Sequence, residues 1–174
     1  MRSPGITWQG CDLRKWLNGA FYHAAFDPSE MKRIQTVRCT DNGESCPDMK
    51  DRVFLLSATE AREMKDPLFR RAAATDFSRG KRPDSCNLYV YDKTNPIDSG
   101  HSWWWLRAQG STPSRAFFIG TRGSIRGYCR VNLGSYGVRL ALRLDHITDK
   151  QYLANFFQRT SILSKCSVVY WRGR

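Results

Sequence analysis

The hydrophobic and polar positions of the chain first follow a helical period. Leu13, Trp16 and Leu17 recur three and four residues apart, which predicts a helix-turn-helix over residues 12–34 with Asp12 as its first N-cap. A second start signal follows at residues 27–30, where Asp27 can cap a helix whose first position is a proline. The N-terminal region is therefore expected to be helical.

The middle of the chain is interrupted more often. Residues 40–51 are polar and predict a loop, whereas the apolar run 53–56 has the length of a strand. Ser57 and Glu60 have the spacing of a capping box and predict a helix over 58–64. Pro67, Gly80, Pro83 and Pro96 break residues 66–100, where the pattern predicts only a short helix near 68–74 and a strand at 88–91.

Most of the remaining apolar runs have strand character. The pattern predicts a strand at 103–107, a hairpin of 115–119 and 124–126 around a turn at 120–123, and a half-buried strand at 138–144. A helix from Thr148 to residue 158 and a strand at 166–171 are expected to complete the chain.

Charge changes this picture, because the chain of 174 residues carries a formal net charge of +12. Its length suits one domain, and its charge predicts attraction to polyanions unless it serves solubility alone. No acidic residue occurs between Asp98 and Asp145, whereas aromatic residues and arginines are frequent there, a composition favoured at binding hot spots. The arginines of this segment are Arg107, Arg115, Arg122, Arg126, Arg130, Arg139 and Arg143.

These side chains also have structural interpretations. Of Trp103, Trp104 and Trp105, we expect two to be buried and at most one to be exposed, because tryptophan is more often core than ligand platform. Arg107 and Arg139 adjoin strands and aromatics and are expected to be structural. The arginines at 122, 126 and 130 are better candidates for ligand contact.

Signals for catalysis and metal binding are weak. The six cysteines are scattered without C-x-x-C spacing, so we expect free thiols and no metal site. The three histidines lie far apart, Glu60 and Glu63 fit a solvated helix face, and no nucleophile elbow or phosphate-binding loop occurs. We therefore expect no enzyme activity and no cofactor. No apolar run is long enough to insert into a membrane and no signal peptide is evident, so the chain reads as soluble.

Four ordered motifs resemble a bacterial and phage family of uncharacterised domains. They read TWQGCDLRKWLN, DRVFLLSATEA, WWWLRAQG and GVRLAL here, against W-L-N, V-F-L-L-S, W-W-L-R-S-P-G and G-V-R-P-A-L in that family. Ala108, Gln109 and Leu140 depart from its pattern. The last two motifs are also similar to C-type-lectin-like domains of the formylglycine-generating-enzyme type, including the variable proteins of diversity-generating retroelements.

This resemblance implies an α+β, C-type-lectin-like domain over residues 1–144, with small antiparallel sheets and two or more flanking helices. Residues 145–174 would add a helix and a strand to the same domain. Because only six residues precede Thr7, we expect strand 166–171 to fill a vacant sheet edge. Residues 107–137 would display the ligand-binding side chains, which we predict to be Ser111, Arg115, Phe118, Arg122, Arg126, Tyr128, Arg130, Asn132 and Tyr136.

The expected function is therefore a recognition domain for a protein or glycan on a cell surface, displayed on a virion or cell. Nucleic-acid binding is the first alternative, because the chain is basic and aromatic residues can stack on bases. An enzyme with a deep polar pocket around Glu60, His101 or Cys129, and a structural subunit of a larger assembly, also remain open. The sequence does not fix the oligomeric state.

Overall fold

The computed structural model describes residues 5–73, 101–132 and 136–145, together with the backbone of residues 167–170. Over these residues the helices are α1 (Asp12–Asn18), α2 (Ala20–Ala25), α3 (Pro28–Met31), α4 (Ala58–Glu63) and α5 (Pro67–Arg70). The strands are β1 (Val37–Cys39), β2 (Met49–Asp51), β3 (Val53–Phe54), β4 (Trp104–Gln109), β5 (Arg115–Ile119), β6 (Ile125–Arg130), β7 (Arg139–Leu142) and β8 (Ser167–Tyr170). The predicted strand at 88–91 and helix at 148–158 lie outside the described residues.

The N-terminal helices form as the hydrophobic spacing predicts, but the first cap differs. Cys11 occupies the N-cap of α1 without a side-chain hydrogen bond, so the prediction that Asp12 caps this helix is wrong. Asp12 lies one residue further on, inside the first turn, and its carboxylate accepts from Lys15 Nζ at 3.3 Å. The helix is then interrupted at Gly19, and α2 begins at the next residue.

Two other helix starts carry the caps that the sequence predicts. Asp27 Oδ1 accepts from the backbone N–H groups of Ser29 and Glu30 at 2.7 and 2.9 Å. In turn, the Asp27 N–H donates to Glu30 Oε2 at 2.9 Å. Ser57 Oγ and Glu60 Oε2 make the same reciprocal pair at the start of α4. Both capping predictions are confirmed, because a cap needs only residues three positions apart.

Two of the sheets hold the early and late parts of the chain together. β1 and β2 form an antiparallel pair, and β7 lies between β3 and β8. Val53 of β3 is opposite Leu142 of β7, whereas β8 runs parallel to β7 with Val168 beside Leu140. The expected C-terminal strand is therefore confirmed at a sheet edge.

The third sheet is an antiparallel meander in the order β4-β5-β6. The predicted hairpin is confirmed, and its turn includes Gly123 at a φ of 79°, a left-handed value that favours glycine. A Cβ at this position would also lie 2.1 Å from the Pro67 carbonyl oxygen, so α5 packs directly against the turn.

One main hydrophobic cluster joins these elements, from Trp8 near the N-terminus to Leu144 after β7. Phe54, Trp104 and Leu142 are among its fully buried side chains. Each fully buried side chain of this kind contributes about 1.5–3 kcal/mol of transfer free energy. The mixture of short helices and mainly antiparallel strands confirms the α+β class.

Candidate ligand-binding surface

The β4–β5–β6 sheet has two chemically different faces, and β5 separates them by strict alternation. Phe117 and Ile119 pack against the main hydrophobic cluster, whereas Phe118 belongs to a second, smaller cluster. Residues on one strand alternate between faces, so Arg115 lies on the side of Phe117, and Ala116 lies on the side of Phe118.

A bulge in β6 changes the alternation of that strand. Ala116 is opposite Cys129 and Phe118 is opposite Arg126, so two steps along β5 correspond to three steps along β6. Consequently both Tyr128 and Cys129 reach the face of Phe118. A regular strand would send these neighbouring residues to opposite sides.

We call this side of the sheet the aromatic face. Tyr136 is its centre, because its ring stacks on that of Trp105 at 4.4 Å between centroids and lies 5.1 Å from that of Trp103. The ring of Phe118 lies edge-on to both Tyr136 and Tyr128, at 5.0 and 5.5 Å. Such geometries favour ring contact beyond simple area burial. The aromatic face carries Trp103, Trp105, Phe118, Tyr128 and Tyr136.

A buried hydrogen bond fixes the base of this cluster. The Cys129 thiol donates to the Tyr136 hydroxyl with an Sγ–Oη distance of 2.7 Å. Burial of the phenol raises the pKa of Tyr136 above its ordinary value. The phenol therefore stays neutral and ordered at physiological pH.

The exposed rim of the aromatic face combines a ring with a cation. Tyr128 is 51% exposed, and Arg126 donates to its hydroxyl at 2.9 Å and to Ser124 Oγ at 3.2 Å. The guanidinium carbon of Arg126 lies 6.0 Å from the Tyr128 ring centroid. Arg126 and Tyr128 therefore hold each other in place before any ligand arrives.

The opposite side of the sheet, which we call the arginine face, carries Arg115 and Arg130. These residues are direct cross-strand partners. Arg130 is exposed and Arg115 half-buried, and neither forms an ion pair within the described part of the chain. The nine predicted ligand residues are thus divided between two faces and their connecting loops.

The loop positions among the predicted residues are all exposed. Ser111 lies in the turn between β4 and β5, Arg122 lies in the β5–β6 turn, and Asn132 follows β6. Gly110 brings the first of these turns close to β6, because a Cβ there would lie 2.3 Å from the Gly127 carbonyl oxygen. The Ser111 N–H donates to that same oxygen at 2.7 Å.

Two predicted ligand residues are covered. Phe118 and Tyr136 are 2% and 8% exposed, because rings on either side of them complete the second cluster. They support the aromatic face from beneath, so we do not include them among the side chains that can touch a ligand here. The neighbouring Trp103 and Trp105 are half-buried and reach the surface, whereas Trp104 is fully buried.

A cavity of about 270 Å³ adjoins the aromatic face and was not expected from the sequence. Trp105, Ala116 and Val131 line it from the sheet, and the segment from Ile6 to Leu13 provides the facing wall. No local motif indicates this cavity, because its two walls lie about a hundred residues apart in the chain.

Arg107 and Arg139 are structural, as predicted. Arg107 is 3% exposed, and its guanidinium forms a bidentate pair with Glu60 at 2.5 and 2.8 Å. It also donates to Asn42 Oδ1 and to the carbonyls of Leu55 and Thr40. Glu60 is therefore not part of a solvated helix face, and that expectation is wrong.

Arg139 has weaker partners. It donates to the carbonyl oxygens of Phe69 and Arg71 at 3.3 Å, and its guanidinium carbon lies 5.1 Å from the Trp104 ring centroid. Burial lowers the pKa of Arg139. Its position between α5 and β4 makes it a packing residue.

The described residues contain no group of three or more histidine, cysteine, aspartate or glutamate side chains able to hold a metal ion. Cys11, Cys39, Cys46 and Cys129 are free thiols, and burial raises the pKa of Cys39 to about 12. Of the candidate polar-pocket residues, Glu60 binds Arg107, Cys129 bonds to Tyr136, and His101 is half-buried with Nδ1 unpartnered. No helix in the described ranges has the length and apolar character needed to cross a membrane.

Comparison with known proteins gives one family. The model of the family described as a domain of unknown function, DUF6273, matches residues 2–146. Neither the curated proteins nor the solved structures contain a significant match to the chain.

Proposed function

We propose that this chain, which belongs to the DUF6273 family of domains of unknown function, is a ligand-recognition domain that binds through its aromatic face. The observation that carries the proposal is the pairing of Arg126 with the half-exposed Tyr128 above buried rings. Arginine and tyrosine dominate binding hot spots because they combine contact area with hydrogen bonding.

Preorganisation supports this proposal. The Tyr128 ring packs edge-on against the Phe118 ring, and the Tyr128 hydroxyl accepts a hydrogen bond from Arg126. Little side-chain freedom therefore remains to be lost on binding. Ordering a flexible side chain at an interface costs about 0.5–1.5 kcal/mol, and a preordered pair avoids most of that cost. The rim is therefore suited to contact rather than to packing within the chain.

The adjoining cavity adds an apolar position to this surface. Its volume of about 270 Å³ has room for a ring or a side chain, and Trp105, Ala116 and Val131 supply apolar lining, whereas Asp12 and Arg107 add charged groups. A protein side chain or the apolar side of a sugar ring satisfies this requirement. The proposed ligand is therefore a protein or a glycan on a cell surface.

The proposal includes the finer fold type, a C-type-lectin-like domain of the formylglycine-generating-enzyme type. The four motifs and the meander next to short helices support it. If the chain is a variable protein of a diversity-generating retroelement on a virion or cell surface, near-identical copies should differ mainly within residues 107–137. Differences spread evenly along the chain would contradict this part of the proposal.

The test is a binding screen at physiological salt against glycan and cell-surface protein panels. We expect Arg126→Ser/Tyr128→Ser to lose saturable binding, because it removes the cation and the ring from the rim. Lys65→Ser/Phe69→Ser is the matched control, since it removes one exposed cation and one exposed ring elsewhere. Equal binding by both variants would contradict the proposal that the ligand contacts the aromatic face.

Nucleic-acid binding is the second candidate, and the net charge of +12 favours it. Binding that depends on phosphate contacts weakens steeply as salt rises, because counterions are released. Single-stranded DNA and RNA therefore belong in the same screen at two salt concentrations. Salt-labile binding to nucleic acid alone, reduced equally in both variants, would favour this candidate over recognition by the aromatic face.

A further inference from the structure

The arginine face has an electrostatic arrangement that the proposed recognition surface does not use. Arg115 and Arg130 are directly opposite each other on antiparallel strands, which places their Cβ atoms about 4.5–5.5 Å apart. Like charges in this arrangement repel and destabilise the pair. An anion bound between the two guanidinium groups would offset this repulsion.

A third arginine comes from α4. The guanidinium carbon of Arg62 lies 5.8 Å from the centroid of the Phe117 ring, and Phe117 is on the same face of β5 as Arg115. The Phe117 ring itself is held against β6, since a Cβ on Gly127 would lie 2.8 Å from it. Arg62 therefore lies over the face of β5 that also carries Arg115, two residues before Phe117.

Among the described residues, no acidic side chain forms an ion pair with this group. Arg62, Arg115 and Arg130 form no ion pair within the described residues, and the chain has no acidic residue between Asp98 and Asp145. On α4, the Glu60 carboxylate already accepts two hydrogen bonds from Arg107. Glu63 is exposed and forms no ion pair in the described part of the chain.

We propose that Arg62, Arg115 and Arg130 form a subsite for a tetrahedral oxyanion, the sulfate or phosphate group of a ligand. Guanidinium groups bind such anions in a bidentate way, and the oxygen atoms of one anion can accept from several arginines at once. Arg115 and Arg130 would each be attracted to the anion, and these two attractions would offset the repulsion between the arginines. The subsite lies on the opposite side of the sheet from Arg126 and Tyr128 and does not depend on that surface.

The first experiment is isothermal titration calorimetry with sodium sulfate and with sodium phosphate, at an ionic strength held constant with chloride. We expect one saturable site, and at least an approximately tenfold loss of affinity in Arg115→Ser/Arg130→Ser, because two charge-assisted contacts disappear. The control Arg126→Ser/Tyr128→Ser should bind sulfate as wild type does. Unchanged affinity in the first variant, or equal heats with chloride alone, would overturn the subsite.

A single substitution guards against misfolding. Arg130→Glu places opposite charges across the strand pair, so it should fold at least as well as wild type and still lose sulfate and phosphate binding. Retained binding by a folded Arg130→Glu protein would contradict the proposal. Because this variant leaves Arg126 and Tyr128 in place, its result is independent of the aromatic face.

The source of the anion is decided by competition between a sulfated oligosaccharide and a single-stranded oligonucleotide of equal charge. Displacement of bound sulfate by the oligosaccharide would support the subsite with a sulfated glycan as its source. Displacement by the oligonucleotide would support it with a nucleic-acid phosphate as its source. If neither polymer displaces sulfate from the wild type, the subsite does not serve a ligand-borne anion and the proposal fails.

Discussion

Arg107 and Arg126 lie on the same three-stranded sheet but in opposite surroundings. Arg107 is buried, and its guanidinium contacts Glu60, Asn42 and two backbone carbonyls. Arg126 is exposed and contacts the Tyr128 hydroxyl and Ser124. A buried charge needs several partners to offset its lost hydration, whereas an exposed one does not. The first arginine therefore serves the fold, and the second remains accessible for contact.

The largest effect is expected at the buried arginine. Arg107→Ala should lower the free energy of unfolding by about 3–5 kcal/mol, because it leaves the Glu60 carboxylate without its partner in a largely buried site. Urea denaturation followed by circular dichroism measures this loss. In the control Arg38→Ala, which breaks an exposed pair with Asp48, the loss should stay below about 1 kcal/mol. Equal losses in both variants would remove the distinction between the two classes of arginine.

An intermediate effect is expected beneath the aromatic face. Tyr136→Phe should cost about 1 kcal/mol at neutral pH, because it removes the hydrogen bond from the Cys129 thiol. It should also change the response to alkali. The folded pKa of Tyr136 is raised above its ordinary value of 10.0, so the phenol favours folding below that pH and loses this contribution as pH rises.

Unfolding of wild type and Tyr136→Phe across pH 8 to about 11 checks the sign of this linkage. The wild type should lose stability above its unfolded-state tyrosine pKa, and the variant should lose less over the same interval. The exposed Tyr128→Phe serves as the control and should follow the wild type. A steeper alkaline decline in Tyr136→Phe would contradict the burial of this phenol.

The smallest effect on stability is expected at the rim. Arg126→Ser should change the free energy of unfolding by less than about 0.5 kcal/mol, because substitutions of exposed side chains seldom matter to the fold. The measurement is again urea denaturation, with Lys65→Ser as the matched exposed cation. A loss above about 1 kcal/mol would mean that Arg126 belongs to the structural class with Arg107.

Features that depend on neighbouring residues were predictable from the sequence. The caps at Asp27 and Ser57 and the β5–β6 hairpin follow from spacings of a few residues, and the structure has all three. Arg107 could be expected to be structural from its setting in an aromatic strand. Its partner Glu60 could not, because the two residues are 47 positions apart.

The details of the candidate surface depend on geometry that no local pattern contains. The bulge in β6 reverses the side that alternation assigns to Tyr128 or Cys129, and it decides which arginines share a face. The cavity requires the segment from Ile6 to Leu13 to meet β4 and β5. The sequence therefore indicated the binding segment, but not its division into an aromatic face and an arginine face.

The decisive measurement is the affinity, at physiological salt, of wild type, Arg126→Ser/Tyr128→Ser and Lys65→Ser/Phe69→Ser for a ligand found in the glycan and protein screen. The recognition proposal predicts that only the first variant loses at least about tenfold in affinity, a loss typical of removing hot-spot residues, while all three proteins stay folded. Equal affinity for the two variants would show that the aromatic face is not the contact surface.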